Sequence, residues 1–205
     1  MYEVKFNKIV SVSFAKKFLD SAAIIATNLD YKLIDQLAEE LSKIKKNYGR
    51  IFFLGVGGSA GNCSHAVNDF RKLCEIECYA PTDNVSEITA RTNDEGWNSV
   101  FVEWLKISNL NKKDCIFIFS VGGGNKKKKV SENLIYAIDY AKIVKAKIFS
   151  FVGKNDGYAY KKSDVSILIP VIDHKFITPF SESFQAVLWH LLVSHPKLKK
   201  KPTKW

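Results

Sequence analysis

Residues 51–70, IFFLGVGGSAGNCSHAVNDF, carry a strand, a turn and the start of a helix in twenty positions. The run Ile51-Phe52-Phe53-Leu54 is uncharged and rich in strand formers. Such a run marks a parallel strand covered on both faces. The glycines between Gly55 and Gly61 permit a tight turn and let backbone approach a ligand closely. A helical pattern starts near Asn62, and the N-terminus of a helix offers unpaired N–H groups and partial positive charge, a site for phosphate. His65 and Asp69, four apart, share one face of that helix. The stretch therefore reads as an anion-binding turn with proton-transfer or metal-ligating chemistry beside it.

Outward from this unit, the pattern repeats. Apolar spacing predicts helices over 11–28, capped by Ser11 or Ser13, and over 31–45. Further strands are expected at 76–79, 115–119, 146–152 and 164–170. Helices are expected at 84–92, 96–107, 132–145, 158–163 and 182–193. Alternating strands and helices argue a parallel sheet with helices on both faces, and ligands then lie beyond the carboxyl ends of the strands. A second glycine loop, Ser120-Val-Gly-Gly-Gly-Asn125, follows the strand at Cys115. Two loops of one type, carrying Ser59 and Ser120, frame a shared anion site from hydroxyls and backbone N–H groups. Gly55–Ala60 also fits a loose G-x-G-x-x-A dinucleotide fingerprint, with Glu75 or Glu77 as the ribose acid. The two preceding helices and the second glycine loop count against that reading. Neither loop has the G-K-[ST] of a Walker A site.

The 205 residues carry a net charge of +10. The lysines cluster at 126–129 and in the tail 197–205, which reads as solvated surface and a frayed tail. Lysines 126–129, directly after the second loop, also raise the potential for an anionic substrate. No nucleic-acid partner is expected. No apolar run reaches the length of a membrane span and no signal peptide is visible, so a cytoplasmic protein is expected. The four cysteines lack C-x-x-C spacing, and the thiols are expected to be reduced.

The final helix supplies partners for His65 and Asp69: Glu182 and His190, eight apart and roughly on one face, with Gln185 nearby. Two histidines and two carboxylates suit a divalent metal and equally suit a metal-free acid/base pair. Residue spacing leaves both readings open, and His190 beside Trp189 also fits a core histidine.

The segment GVGGSAGNCSHAVND, the run Thr92-Asn-Asp-Glu-Gly-Trp97, the serine–glycine loop at Ser120 and Val152-Gly-Lys-Asn-Asp-Gly157 resemble the sugar isomerase (SIS) fold, and within it the phosphoheptose isomerases. The resemblance implies a single SIS domain over 1–205, with a helical extension (1–48), an α/β core (49–196) and a basic tail (197–205). It implies a three-layer sandwich with a parallel five-stranded, flavodoxin-like sheet. The implied activity is aldose–ketose isomerisation of sedoheptulose 7-phosphate to D-glycero-D-manno-heptose 7-phosphate through a cis-enediol. The alternatives are another sugar phosphate or a non-catalytic sugar-phosphate-binding domain.

By position, His65 matches a zinc-ligand histidine and His190 a catalytic histidine, while Asp69 stands where the family has a catalytic glutamate and Glu182 where it has a glutamine. The metal set is then His65, Asp69, Glu182 and His190, with Asp69 and His190 also catalytic and zinc the expected ion. Substrate and phosphate contacts fall to Gly57, Gly58, Ser59, Asn93, Asp94, Ser120, Gly122, Gly123 and Asn125. A homotetramer with active sites near subunit interfaces is implied. The chain departs from the family in Val56, which replaces an asparagine, and in the second loop, which loses most of its hydroxyls.

Overall fold

The structure is a computed structural model that describes residues 13–203. Ser11 and Val12 of the expected first helix, and Lys204 and Trp205 of the tail, lie outside the described residues. In chain order the elements are α1 (Phe14–Thr27), α2 (Tyr31–Lys46), β1 (Ile51–Gly55), α3 (Gly58–Cys74), β2 (Cys78–Tyr79), α4 (Val85–Asp94) and α5 (Val100–Ile107). There follow β3 (Cys115–Ser120), α6 (Glu132–Ile143), β4 (Lys147–Val152), α7 (Tyr158–Lys162), β5 (Val165–Leu168) and α8 (Ile177–Ser194). The strands form one parallel sheet in the order β2-β1-β3-β4-β5, the flavodoxin-like order in which ligands meet the carboxyl edge near the switch between β1 and β3.

Strand side chains alternate between two cores, as a period of two requires. Phe53, Phe117, Phe119 and Phe151 face one side, with Leu37 of α2, Phe70 of α3 and Leu188 of α8. Phe52, Leu54, Ile116 and Ile118 face the other, with Leu105 of α5 and Ile138 of α6. The three-layer sandwich follows from this division. Ring stacking within the first core is close, with Phe117 and Phe119 centroids 4.8 Å and 5.0 Å from Phe151. Helix starts agree with their caps. Ser13 accepts from the Lys16 N–H, Asp30 from Leu33 and Asn84 from Glu87, each satisfying a donor that the helix itself leaves orphaned.

Helix α1 lies at the margin of the first core. Ile25 is buried and Phe18 packs on Phe180, whereas Phe14, Leu19 and Ile24 remain exposed. The tail departs from the frayed segment expected of so many lysines. Leu198 is fully buried in the first core, and the backbone N–H groups of Lys200 and Lys201 donate to the Leu73 carbonyl. One apolar side chain and the open C-terminal carbonyls of α3 are enough to dock it.

All four cysteines are free and buried. Burial pushes the thiols of Cys74 and Cys78 up to about 12 and those of Cys63 and Cys115 well above the ordinary thiol range. A thiol reagent at pH 8 is therefore expected to label none of them in the native protein and all four in denaturant. Rapid native labelling of any one would show that its core opens locally.

Candidate functional site

Two loops leave the carboxyl edge of the sheet side by side, because Gly55 at the end of β1 pairs with Phe119 near the end of β3. The β1 loop is shorter than the glycine run suggested. Helix α3 starts at Gly58, so Ser59, Ala60 and Gly61 form its first turn. Gly55 is required by contact, since a Cβ there would lie 2.6 Å from the Ser59 carbonyl oxygen. Gly57 is required by conformation, at φ +63°, and the space above it is open. Ser59 is buried at the base of this turn.

The β3 loop is held by its own polar groups. Ser120 Oγ accepts the Gly123 N–H at 2.9 Å. The carbonyls of Val121, Gly123 and Gly124 accept N–H groups from Gly153, Ala159 and Tyr158. Asn125 Oδ1 accepts from the Lys128 N–H, and its backbone pairs with Val130 in a small basic hairpin. Gly122, with open space above it, is the position where a ligand can approach the loop backbone. Gly123 is covered by Ala159, Gly157 and Val152. Lys126 turns away to Asp139, 3.0 Å distant, and lies over the Tyr158 ring. Its charge is thus paired with a carboxylate of α6, whereas the expectation for the potential over the loop concerned lysines 126–129 together.

On the adjoining face of α3, His65 and Asp69 meet His190 of α8, and one donor atom from each lies within 4.8 Å of the others. Both histidines are exposed and Asp69 is half-buried. His190 Nδ1 lies 2.8 Å from the Ala186 carbonyl. A carbonyl can only accept, so Nδ1 carries the proton and Nε2 is left as a free base or ligand. Trp189, fully buried, walls the group, with His65 4.5 Å away and the His190 ring stacked on it. Two imidazoles and a carboxylate with remaining positions open fit a divalent ion. The same three groups also fit acid/base chemistry.

Glu182 does not join this group among the described residues. Eight residues of helix separate it from His190 by about 12 Å of rise. Its carboxylate lies instead against Gly58, so that a Cβ there would be 2.4 Å from Oε2.

Comparison with known proteins bears on the fold and the family likeness. No family model matches the chain. The phosphoheptose isomerase of Helicobacter pylori strain P12 is 25% identical over 184 residues, covering 86% of this chain and 90% of that protein. The lincomycin biosynthesis protein LmbN of Streptomyces lincolnensis is 32% identical over 154 residues, 72% of this chain and 56% of that protein. The structure of phosphoheptose isomerase GmhA from Neisseria gonorrhoeae superposes with a TM-score of 0.77 at 21% identity, over 88% of this chain and 96% of that one. The chain has the SIS fold and is similar along most of its length to phosphoheptose isomerases.

Within this SIS chain, Asn93 and Asp94 end α4 and are exposed, with Asn93 donating to Asp94 at 2.8 Å. Helix α4 packs on α5 and the turn at 81–83, and Asp94 does not join the His65 group among the described residues. Sequence reasoning missed Asn62. Its amide donates to the Glu182 carbonyl at 2.9 Å and to Gln185 Oε1 at 3.1 Å, binding α8 to α3 where the two site helices meet. An amide one turn into a helix that otherwise buries apolar residues was the available signal. Trp189 was also missed as a site wall, because an aromatic in a buried helix face reads as core.

Proposed function

We propose that the chain is an aldose–ketose isomerase that interconverts sedoheptulose 7-phosphate and D-glycero-D-manno-heptose 7-phosphate. The observation that carries this reading is the convergence of His65, Asp69 and His190 beside two serine–glycine loops at the carboxyl edge of the sheet. Similarity to phosphoheptose isomerases along most of the chain supports the substrate.

In this reading the phosphate lies over the β3 loop, held by N–H groups near Gly122 and by Ser120. The sugar then extends toward α3 and α8. Asp69 moves the proton between C1 and C2, and His190, with Nε2 free, serves the sugar oxygens as they exchange carbonyl and hydroxyl character. In a metal-loaded form His65, Asp69 and His190 would instead hold a divalent ion, with zinc the choice for two imidazoles and a carboxylate, and His190 Nε2 would then be a ligand rather than a proton carrier. Such an ion supplies Lewis-acid stabilisation of negative charge on a sugar oxygen. Trp189 excludes water from the inner side of the imidazoles.

The exposure of both histidines supports a homotetramer in which a second chain completes the site. Val187 and Leu191 flank His190 on α8, and both are exposed apolar residues, as are Leu19 and Ile24 of α1. Four unpaired thiols suit a reducing, cytoplasmic setting. No described helix is long and apolar enough to cross a membrane.

The test is incubation of the metal-analysed protein with sedoheptulose 7-phosphate, following aldose formation by NMR, with and without chelator. Turnover lost on chelation and regained with zinc is the expected result. Turnover insensitive to chelator would assign the chemistry to Asp69 and His190 alone. Turnover of only a different sugar phosphate would move the substrate, and ligand binding without turnover of any would make the chain a sugar-phosphate-binding domain.

A further inference from the structure

Glu182 is unusual among the polar groups of the site. All three atoms of its carboxyl group lie within 2.8 Å of where a Gly58 Cβ would be. The group therefore rests on the Cα of the first residue of α3. Its backbone is fixed there by Asn62, which donates to the Glu182 carbonyl. Its carboxylate has no hydrogen bond or ion pair from a side chain among the described residues. The positive end of the 17-residue α3 is the favourable field that it occupies. The sequence pointed to this helix end as the anion site, and an ionised side chain already stands on it.

We propose that Glu182 sets the direction in which a sugar phosphate enters, by closing the N-terminus of α3 to the phosphate. This rests on the isomerase reading given above. Two negative groups a few ångströms apart in a partly buried site repel strongly. Phosphate is directed to the Gly122 side of the cleft, where backbone is open and no carboxylate intrudes. The uncharged polyol chain of the sugar is then what passes the start of α3, where Glu182 accepts hydrogen bonds from hydroxyls. Its open-chain end runs on, about two helical turns further, to Asp69 and His190. Glu182 is thus a positioning residue, and the uncharged polyol chain of a sugar phosphate is the chemical class it selects.

The probe is inorganic phosphate, titrated calorimetrically into wild type and Glu182→Gln, which keeps the shape of the side chain and removes its charge. Wild type is expected to bind one phosphate per chain. Glu182→Gln is expected to bind a second, with inhibition of isomerisation by phosphate at least about tenfold stronger. With substrate, the variant is expected to lower kcat and KM together, because inverted, unproductive binding competes with productive binding. A merely structural role would not produce that paired fall. Glu182→Ala, with the same phosphate titration, separates loss of the charge from any hydrogen bond that the new amide of Glu182→Gln donates to phosphate. Unchanged phosphate stoichiometry and unchanged inhibition in both folded variants would overturn the inference. The phosphate titration does not need turnover. A second phosphate in an inactive protein would therefore retire the isomerase reading and keep the role of Glu182.

Discussion

Asp69→Asn is expected to lower the turnover of sedoheptulose 7-phosphate by about 10²- to 10⁴-fold, the range for removing a positioned general base. The substitution keeps the shape of the side chain and loses its proton affinity. Asp69 lies half-buried on α3 and accepts from the neighbouring Asn68 amide at 2.8 Å. The carbonyl oxygen of the replacement amide would retain that contact, so the thermal midpoint is expected to stay unchanged. His190→Ala should fall in the same range, because it removes the one imidazole whose Nε2 is freed by the Ala186 carbonyl. Zinc content per chain, measured on each variant, distinguishes loss of the base from loss of the ion. Retained zinc with lost turnover assigns Asp69 to proton transfer. Wild-type turnover in either variant would dismiss the trio as the reacting centre. Asp69→Glu is a sharper probe of geometry. It lengthens the side chain by one methylene, and misplacement of about 1 Å in an active site can change rates about a hundredfold.

The sheet was legible because its strands are short uncharged runs, Ile51–Leu54 and Cys115–Phe119 above all, and burial on both faces requires such runs. The starts of α2, α6 and α7 fell where expected, at Tyr31, Glu132 and Tyr158, while those of α3 and α8 did not, for a reason particular to each. Helix α3 begins four residues before Asn62 because glycines, poor in helix interiors, are tolerated in a first turn that a ligand must approach. Helix α8 begins at Ile177 although Pro179 stands three residues in. A proline in the first turn removes an N–H that has no intrahelical partner anyway, so it does not break the helix.

The site divides in the same way. His65 and Asp69 could be paired from their spacing of four, and that pairing is local. His190 was named with them from the final helix and from the family resemblance, and the long-range packing of α8 on α3 is what brings it to them. Glu182 shows the limit of a helical wheel. It lies on roughly the same face as His190, about 80° round the helix, but two turns of rise carry it to the other end of the cleft, onto Gly58. Lys126 shows a second limit, since a run of four lysines does not reveal that the first of them has Asp139 and the Tyr158 ring within reach.

The largest stability loss is expected away from the cleft, at Asp114. This carboxylate is 2% exposed and stands at the start of β3. Its Oδ1 accepts from the Arg50 backbone N–H at 2.9 Å and from Arg50 Nε at 3.2 Å. Its Oδ2 accepts from Arg50 Nη2 at 2.8 Å and from the backbone and side chain of Asn111. Arg50 precedes β1, so one side chain fixes the register of the two central strands on which both glycine loops depend. The interaction raises the guanidinium's affinity for its proton, and the cation also lies 5.0 Å from the Phe52 ring. Asp114→Ala leaves a partly buried cation and several N–H donors without an acceptor. Removing one partner of a buried pair costs about 3–5 kcal/mol, which for a chain of this size corresponds to a fall of roughly 6–20 °C in Tm. Glu103→Ala, which removes the partner of Lys106 in an exposed pair, should leave Tm within error, since such pairs contribute little. Denaturant midpoints on both variants check the contrast. A loss at Asp114 as small as that at Glu103 would mean that the strand ends are held by the sheet ladder alone. Asp114→Asn, which keeps one accepting oxygen and turns an NH2 group toward the remaining N–H donors, should fall between the two.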